Sequence, residues 1–285
     1  MMHEMVPQGH QADLLCKVID KVGSPLCVGI DPVESKLPEQ LSHLPVLDAF
    51  QAFSNGVIDA VSSIAVAVKF QSACFERYGS KGVKLLGDLR DHASESGLVV
   101  ILDAKRGDIG ISAEHYAASV TAEGHCDWVT VNPYLGWDSI VPFLDSDLGV
   151  FCLVRTSNPS GDVIQKQQLN DGRTVAESIA DILAMEADRY IGEYGWSNLS
   201  VVVGATKPDE ANSLRERMPR QIFLMPGIGT QGANADQLAK CFVDGHGVLI
   251  TASRSVIYPA LEIDWQTDIS NAAKKLASEL QVVAS

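Results

Sequence analysis

Eight short apolar runs, spaced along the chain, limit its fold more than any other feature of the sequence. The runs are rich in β-branched residues and are hydrophobic without interruption, which is typical of parallel strands buried on both faces. Segments with helical periodicity lie between them. We predict strands at Leu26–Ile30, Ala65–Phe70, Leu98–Leu102, Trp128–Val131, Val150–Val154, Leu199–Val203, Gln221–Met225 and Gly247–Thr251, and helices at Val46–Ser62, Gly82–Ser96, Ser112–Glu123, Val175–Tyr190 and Ala233–Lys240.

Eight strands that alternate with helices over 285 residues fit an α/β fold of the (β/α)₈, or TIM, barrel type. A doubly wound open sheet stays possible, because periodicity alone does not exclude it. No break in composition, block of like charge or Pro/Gly-rich linker divides the chain. We therefore predict a single barrel domain over residues 1–285, with residues 1–10 as a loosely ordered N-terminal extension.

The chain is acidic, with 22 basic and 36 acidic residues and a formal net charge of −14. Such a chain has no overall attraction for nucleic acid or for an anionic membrane, so we expect neither as a partner. If the substrate is an anion, a few placed Lys, Arg and backbone N–H groups must supply a local positive field. The charge therefore argues against a nucleic-acid-binding protein and is compatible with an enzyme.

The six cysteines form no C-x-x-C pair, and Cys27 and Cys152 lie inside predicted strands. Because 46% of the residues are hydrophobic, the chain can bury a large core, and we expect buried, reduced thiols rather than a disulfide framework. The N-terminus has no basic region followed by an apolar stretch, and no apolar run approaches the roughly 20 residues that span a bilayer. We expect a cytoplasmic protein.

Polar residues or glycines follow or end seven of the eight predicted strands. Catalytic groups in (β/α)₈ barrels lie at the C-terminal ends of the strands. The pattern therefore predicts an active site at that end of the barrel. The residues are Asp31, Lys69, Asp103, Lys105, Asn132, Ser157, the Gly227–Gly232 loop and Arg254.

The segment Asp103-Ala-Lys105-Arg-Gly-Asp108 is the most informative part of the sequence. Residues two apart in an extended strand point the same way, so Asp103 and Lys105 can project together into the barrel mouth, and Asp108 comes from the loop beyond. Burying a lysine between carboxylates is unfavourable unless the charges compensate one another. Taken alone, the motif could also be a solvated ion pair, and Lys69 alone could be a lysine that extends to the surface.

The D-x-K-x-x-D pattern after a third strand resembles the orotidine monophosphate decarboxylases and their barrel relatives, the sugar-phosphate decarboxylases and aldolases. Lys69, in the segment VAVKFQ, separates these groups, because the metal-dependent sugar-phosphate decarboxylases carry an acidic residue there. The segments VGIDP (28–32), VNPYLG (131–136) and RTSNP (155–159) extend the resemblance over nearly the whole chain. The last two resemble the bacterial subgroup with long chains.

The resemblance implies decarboxylation of orotidine 5′-monophosphate to uridine 5′-monophosphate in de novo pyrimidine biosynthesis, on a nucleotide substrate and without a cofactor or metal. In this interpretation Lys105 stabilises and protonates the carbanion, Asp103 holds Lys105 and crowds the substrate carboxylate, and Lys69 balances Asp103. Asp108 completes the charged array. It is donated with Ser112, at a position usually occupied by Thr, across the interface of a homodimer.

The same resemblance implies the substrate contacts. Asp31 contacts the ribose, Ser157 hydrogen-bonds the pyrimidine, and Gln231 and Arg254 hold the phosphate; Asn132 is a further candidate. Gly227, Gly229 and Gly232 would let backbone N–H groups approach that anion. In the long stretch from Asn158 to Asn198, residues Gly161, Gln165 and Lys166 are candidates for a loop that closes over the phosphate.

Three other interpretations compete with this one. The glycines after the seventh strand also satisfy G-x-G-x-x-G, but a dinucleotide-binding fingerprint should open the first βαβ unit. A metal-dependent sugar-phosphate decarboxylase or aldolase disagrees with Lys69 and Ser157. A non-catalytic nucleotide-binding barrel has no need to keep two lysines and two aspartates together in a cleft.

Overall fold

In the computed structural model, which describes residues 9–227, 235–260 and 264–284, eight parallel strands form a closed barrel. The first strand pairs with both the second and the eighth. The predicted (β/α)₈ barrel is therefore confirmed, and the open doubly wound sheet is excluded. The strands are β1 Leu26–Ile30, β2 Ala67–Gln71, β3 Val99–Arg106, β4 Trp128–Val131, β5 Gly149–Arg155, β6 Ser197–Val203, β7 Gln221–Pro226 and β8 Val248–Ala252.

Helices surround the barrel and cover one of its ends. Within the described ranges they are α1 Gln11–Val22, α2 Val46–Val61, α3 Ser72–Glu76, α4 Gly79–Glu95, α5 Gly110–Ala122, α6 Val141–Leu144, α7 Asp162–Gln165, α8 Val175–Ala187, α9 Pro208–Arg217, α10 Arg254–Ile257 and α11 Trp265–Ala284. Four of the five predicted helices match α2, α4, α5 and α8 to within three residues at each end. The fifth prediction is wrong in type, because the described part of it is a 3₁₀ helix, Ala235–Cys241.

Two hydrophobic clusters hold the barrel together. The inner cluster fills its interior, where the rings of Trp128 and Phe151 stack with centroids 4.3 Å apart. Gly149 makes room for this pair, because a Cβ there would lie 2.3 Å from the Trp128 ring. The outer cluster lies between the strands and the surrounding helices. Strands with apolar side chains on both faces are therefore buried from inside and outside, as their uninterrupted hydrophobic sequences predict.

Helix α1 covers the N-terminal end of the barrel. Its residues Leu15 and Cys16 belong to the inner cluster and are fully buried. The Asp13 carboxylate fastens the helix by accepting the backbone N–H groups of Glu193 and Tyr194, each over 2.9 Å. Helix α1 thereby closes this end of the barrel, and the opposite, C-terminal end carries the charged side chains Lys69 and Asp103.

All six cysteines are free, and five of them are buried, while Cys74 is half-buried. Burial raises the pKa values of the Cys16 and Cys27 thiols to about 12, so both are neutral at physiological pH. The prediction of reduced thiols packed in the core is confirmed, with Cys74 as the partly accessible member. No helix of the described residues is both long enough and apolar enough to span a membrane.

Candidate active site

Strand β3 runs four residues further than predicted, so Asp103 and Lys105 lie in the strand rather than after it. Its pairing with β4 shifts there: Leu102 lies opposite Val129, and the next aligned pair is Arg106 with Val131. Three residues of β3 therefore bulge opposite one residue of β4. Lys105 has a left-handed backbone with φ of 47°. The expectation of a regular extended strand is wrong here, although the two side chains still meet.

The Asp103 carboxylate is the centre of the site and accepts hydrogen bonds from four side chains. Oδ2 accepts from Lys69 Nζ over 2.8 Å and from Gln71 Nε2 over 3.3 Å. Oδ1 accepts from Lys105 Nζ over 2.5 Å and from Thr130 Oγ1 over 2.9 Å. Lys69 and Asp103 are buried, whereas the Lys105 side chain is 46% exposed. Lys69 is therefore not a surface lysine, and its pair with Asp103 is not a solvated one.

The opposite charges decide the ionisation of this buried pair. Burial alone would lower the pKa of the Lys69 ammonium, but the charges of Asp103 and Asp31 outweigh it and raise that pKa above its usual value. Burial alone would raise the pKa of Asp103, but Lys69 and Lys105 together hold it well below its usual range. At neutral pH the site therefore presents a carboxylate between two lysines. An anionic group of a ligand is favoured beside a lysine and disfavoured beside Asp103, which restricts its position.

A cavity of about 430 Å³ opens beside this cluster at the C-terminal ends of the strands. Its size suits a small organic ligand. Lysine and carboxylate groups lie on one side, and apolar side chains from three strands form another. The lining residues are Lys69, Asp103, Lys105, Thr130, Leu153, Thr156, Ser157, Asn158, Gln165, Val202, Leu224 and Pro226.

Ser157 can approach the cavity because the residue that follows the neighbouring strand β6 has no side chain. Gly204 follows β6, and a Cβ built on it would lie 2.9 Å from both the backbone N and the Cα of Ser157. That separation is shorter than real Cβ contacts. The glycine thus permits the close approach that brings Ser157 to the cavity wall.

A buried arginine anchors the segment that follows β5. The Arg155 guanidinium is 1% exposed and forms ion pairs with Asp162 and Glu210. It also donates to Oε1 of Gln165, which accepts the backbone N–H of Thr156 as well. Gln165 therefore lies at the cavity. Gly161 ends a 3₁₀ turn, and Lys166 pairs with Glu210 at the surface. That this segment closes over the phosphate stays a prediction.

Three of the predicted ribose and phosphate contacts, Asp31, Gly227 and Arg254, follow strands at the C-terminal end of the barrel but do not line the cavity. Asp31 follows β1, and its buried Oδ1 has no hydrogen-bond partner among the described residues. Arg254 begins α10, is exposed, and forms no ion pair with a described residue. Gly227 has φ of 113°, a conformation that suits glycine. The remaining phosphate candidates, Gly229, Gln231 and Gly232, fall outside the described residues.

Three other predicted residues are not brought to the cavity by this chain. Asp108 is half-buried, and its Oδ1 accepts the N–H of Ile109 over 2.8 Å, without a bond to Lys69 or Lys105. Ser112 is exposed on α5. Asn132 is exposed, and its Oδ1 accepts the N–H of Tyr134, so it caps a 3₁₀ turn. A single chain therefore assembles Lys69, Asp103 and Lys105, but not the fourth member of the charged array.

Sequence reasoning missed Gln71, Thr130 and Gly204. A signal was present for two of them. Gln71 lies two positions after Lys69 and so shares its face of β2, and Thr130 is the polar residue inside the apolar strand WVTV. Among the described residues, no three His, Cys, Asp or Glu side chains are grouped so that they could hold a metal ion.

Comparisons with known proteins identify the family to which the chain is similar. A profile of the orotidine 5′-phosphate decarboxylase / HUMPS family matches residues 24–258. The orotidine 5′-phosphate decarboxylase of Rhodopirellula baltica is 35% identical over an alignment of 298 residues, which covers 95% of this chain and 98% of that protein. That of Myxococcus xanthus is 38% identical over 247 residues, covering 82% and 83%.

Among solved structures, the OMP decarboxylase of Leishmania donovani superposes with a TM-score of 0.81. It is 30% identical in sequence, and the match covers 96% of this chain and 98% of that one. The relatives thus share the barrel from end to end, and the profile spans all eight strands. The chain belongs to the orotidine 5′-phosphate decarboxylase / HUMPS family.

Proposed function

We propose that this chain decarboxylates orotidine 5′-monophosphate to uridine 5′-monophosphate in de novo pyrimidine biosynthesis, without a cofactor. One observation carries the proposal: the buried Lys69–Asp103 pair, extended by Lys105, faces a cavity at the C-terminal ends of the strands. Several full-length relatives bear the name of this activity. The Lys at position 69 favours it over the metal-dependent sugar-phosphate decarboxylases.

The chemistry requires a group that stabilises negative charge. When the bond to the departing CO₂ breaks, its electron pair stays on the ring carbon. The Lys105 ammonium stabilises this charge and then donates a proton to the carbon. The resulting neutral amine regains a proton from water, which reaches the half-exposed side chain. Asp103 keeps Lys105 in place through the 2.5 Å hydrogen bond to Nζ and lies against the substrate carboxylate.

Groups remote from the reacting bond supply binding energy. Lys69 and Asp31 contact the ribose, and Ser157 hydrogen-bonds the pyrimidine. The phosphate binds between Arg254 and the backbone after β7, near the left-handed Gly227. Arg254 is suited to this role because it is exposed at the start of α10 and forms no ion pair with a described residue. Binding energy from the phosphate can then orient the reacting carboxylate. Gln231, Gly229, Gly232 and Asn132 stay candidates from the sequence.

The active form in this proposal is a homodimer located in the cytoplasm. Apolar side chains next to Asp108 and Ser112 in the chain are exposed, Ile109 to 55% and Ile111 to 68%, and Tyr134, in the segment after β4, is 84% exposed. Such a patch is typical of a protein interface. A dimer that buries it would bring Asp108 and Ser112 of each chain to the cavity of the other, and so complete the charged array.

The test is the loss of absorbance of orotidine 5′-monophosphate on addition of the purified protein pretreated with EDTA. We expect rapid loss with the wild type and negligible loss with Lys105→Ala, which should still fold and bind uridine 5′-monophosphate. No loss with a folded wild type that binds this nucleotide would indicate a non-catalytic binding protein. Turnover of a sugar phosphate only after addition of magnesium would indicate the metal-dependent relatives.

A further inference from the structure

We infer that Thr130 on β4 is a positioning residue for Lys105, an inference that rests on the proposed decarboxylase function. Thr130 is the single residue of β4 that lies between the partners of Leu102 and Arg106, opposite the bulge formed by residues 103–105. Its side chain is 1% exposed and lines the cavity.

The Thr130 hydroxyl gives one backbone N–H of the bulge a partner in place of a ladder carbonyl. Oγ1 accepts the backbone N–H of Lys105 over 2.9 Å and donates to Oδ1 of Asp103 over 2.9 Å. The directions are fixed, because an N–H can only donate and an ionised carboxylate can only accept. One hydroxyl therefore binds the backbone of the lysine and the side chain of its carboxylate partner together.

This double contact bears on the conformation of Lys105. A left-handed backbone is unfavourable for a residue with a Cβ, and such strain persists only where the surroundings hold it. The described contacts of the Lys105 backbone N–H go to Thr130. Without the hydroxyl, the partly buried N–H would lose this partner, and the bulge would have no such bond to hold φ near 47°. Lys105 Nζ would then lose its defined place at Asp103.

The role predicts a separation between catalysis and binding. Thr130 would act on the reacting lysine, whereas the ribose and phosphate contacts lie on other elements. Removing the hydroxyl should therefore lower kcat while leaving the affinity for uridine 5′-monophosphate, which lacks the reacting carboxylate, nearly unchanged. A residue that only supports the fold would change stability and affinity together.

The experiment compares Thr130→Val, which keeps the shape, with Thr130→Ser, which keeps the hydroxyl. We expect Thr130→Val to lower kcat by about 10- to 100-fold, from the loss of hydrogen bonds to the Asp103 carboxylate and to the partly buried N–H of Lys105. Its dissociation constant for uridine 5′-monophosphate should stay within about threefold of wild type. The hydroxyl bonds Lys105 and Asp103 and is not itself one of the proposed ribose or phosphate contacts. Thr130→Ser should recover most of kcat.

One further measurement separates a positioning role from a purely structural one. Amide hydrogen exchange at Lys105 should be faster in Thr130→Val, and in the smaller Thr130→Ala if the valine variant does not fold, than in wild type and Thr130→Ser. An unchanged kcat in Thr130→Val, or equal damage in Thr130→Ser, would overturn the inference. If the wild type itself does not decarboxylate, the proposed function fails instead, whereas unchanged exchange at Lys105 would refute the positioning role even then.

Discussion

Nζ of Lys69 lies 2.8 Å from Oδ2 of Asp103, and neither side chain is more than 9% exposed. The two residues lie on adjacent strands, where Gln71 is the direct neighbour of Asp103. Removing two charges from water is unfavourable, and only their mutual attraction and further hydrogen bonds offset it. Each residue is therefore expected to depend on the other for stability as well as for function.

Replacing one partner should expose this dependence. Lys69→Met is expected to lower the free energy of unfolding by about 3 kcal/mol, because it leaves Asp103 buried with Lys105 as its remaining charged partner. The double variant Lys69→Met/Asp103→Asn should recover part of that loss, since no unpaired buried charge remains. Both variants should be inactive. Urea denaturation of the four proteins of this cycle gives the coupling energy, and strictly additive losses would contradict it.

The ionisation of Asp103 predicts how stability depends on pH. Its pKa is lower in the folded protein than the value of about 3.9 in unfolded chains, because Lys69 and Lys105 outweigh the effect of burial. The stabilisation is therefore present above that unfolded value and is lost as the pH falls toward the folded value. The difference in unfolding free energy between wild type and Asp103→Asn should be constant from pH 5 to 8 and shrink below about pH 4.

Equilibrium unfolding at several pH values, with both proteins at the same ionic strength, measures this difference. A difference that grows as the pH falls from 7 to 5 would mean that the pKa of the folded carboxyl is raised and that it titrates near neutrality. In that case the two lysines would not compensate for its burial.

Gly204 offers a test of the cavity wall. Gly204→Ala would place a methyl group 2.9 Å from the Ser157 backbone, so the segment after β5 must shift. Because we propose that Ser157 hydrogen-bonds the pyrimidine, kcat/KM should fall by about 10- to 100-fold, as expected for a displacement near 1 Å. Gly9→Ala is the matched control, since a Cβ at Gly9 meets no atom within 4 Å. Equal kcat/KM values in the two variants would show that Ser157 does not take part in substrate binding.

The barrel was predictable because its signal is local. Runs such as Leu26–Ile30 and Trp128–Val131 are buried on both faces, and their predicted and observed bounds coincide. The prediction stopped β3 at Leu102, where the apolar run ends, because a charged segment carries no strand signal. In that segment Asp103 accepts hydrogen bonds from Lys69 and Gln71 of β2, which are contacts that the local sequence does not reveal.

The parts of the site that escaped prediction depend on contacts between distant segments. The backbone N–H of the left-handed Lys105 donates to a hydroxyl 25 positions later. The position of Ser157 depends on the absence of a side chain at Gly204. Asn132 shows the converse. Its position after a strand predicted a ligand contact, but its Oδ1 bonds two residues along and caps a turn.

Mixing two inactive variants tests whether active sites are shared. In the proposed dimer, each cavity combines Lys105 of one chain with Asp108 of the other. Asp108→Ala and Lys105→Ala should each be nearly inactive, but a hybrid of the two has one intact cavity. Random exchange makes half of the dimers hybrids, so an equimolar mixture should recover about a quarter of wild-type activity per chain.

The matched control mixes Asp103→Asn with Lys105→Ala. These two residues contact each other within one chain over 2.5 Å, so no hybrid contains an intact cavity, and the mixture should stay inactive. Subunit exchange is verified with differently tagged chains. If both mixtures recover equally, or if neither recovers although exchange is complete, Asp108 does not cross the interface. Its half-buried carboxylate, bonded to the N–H of Ile109, would then act outside the reacting array.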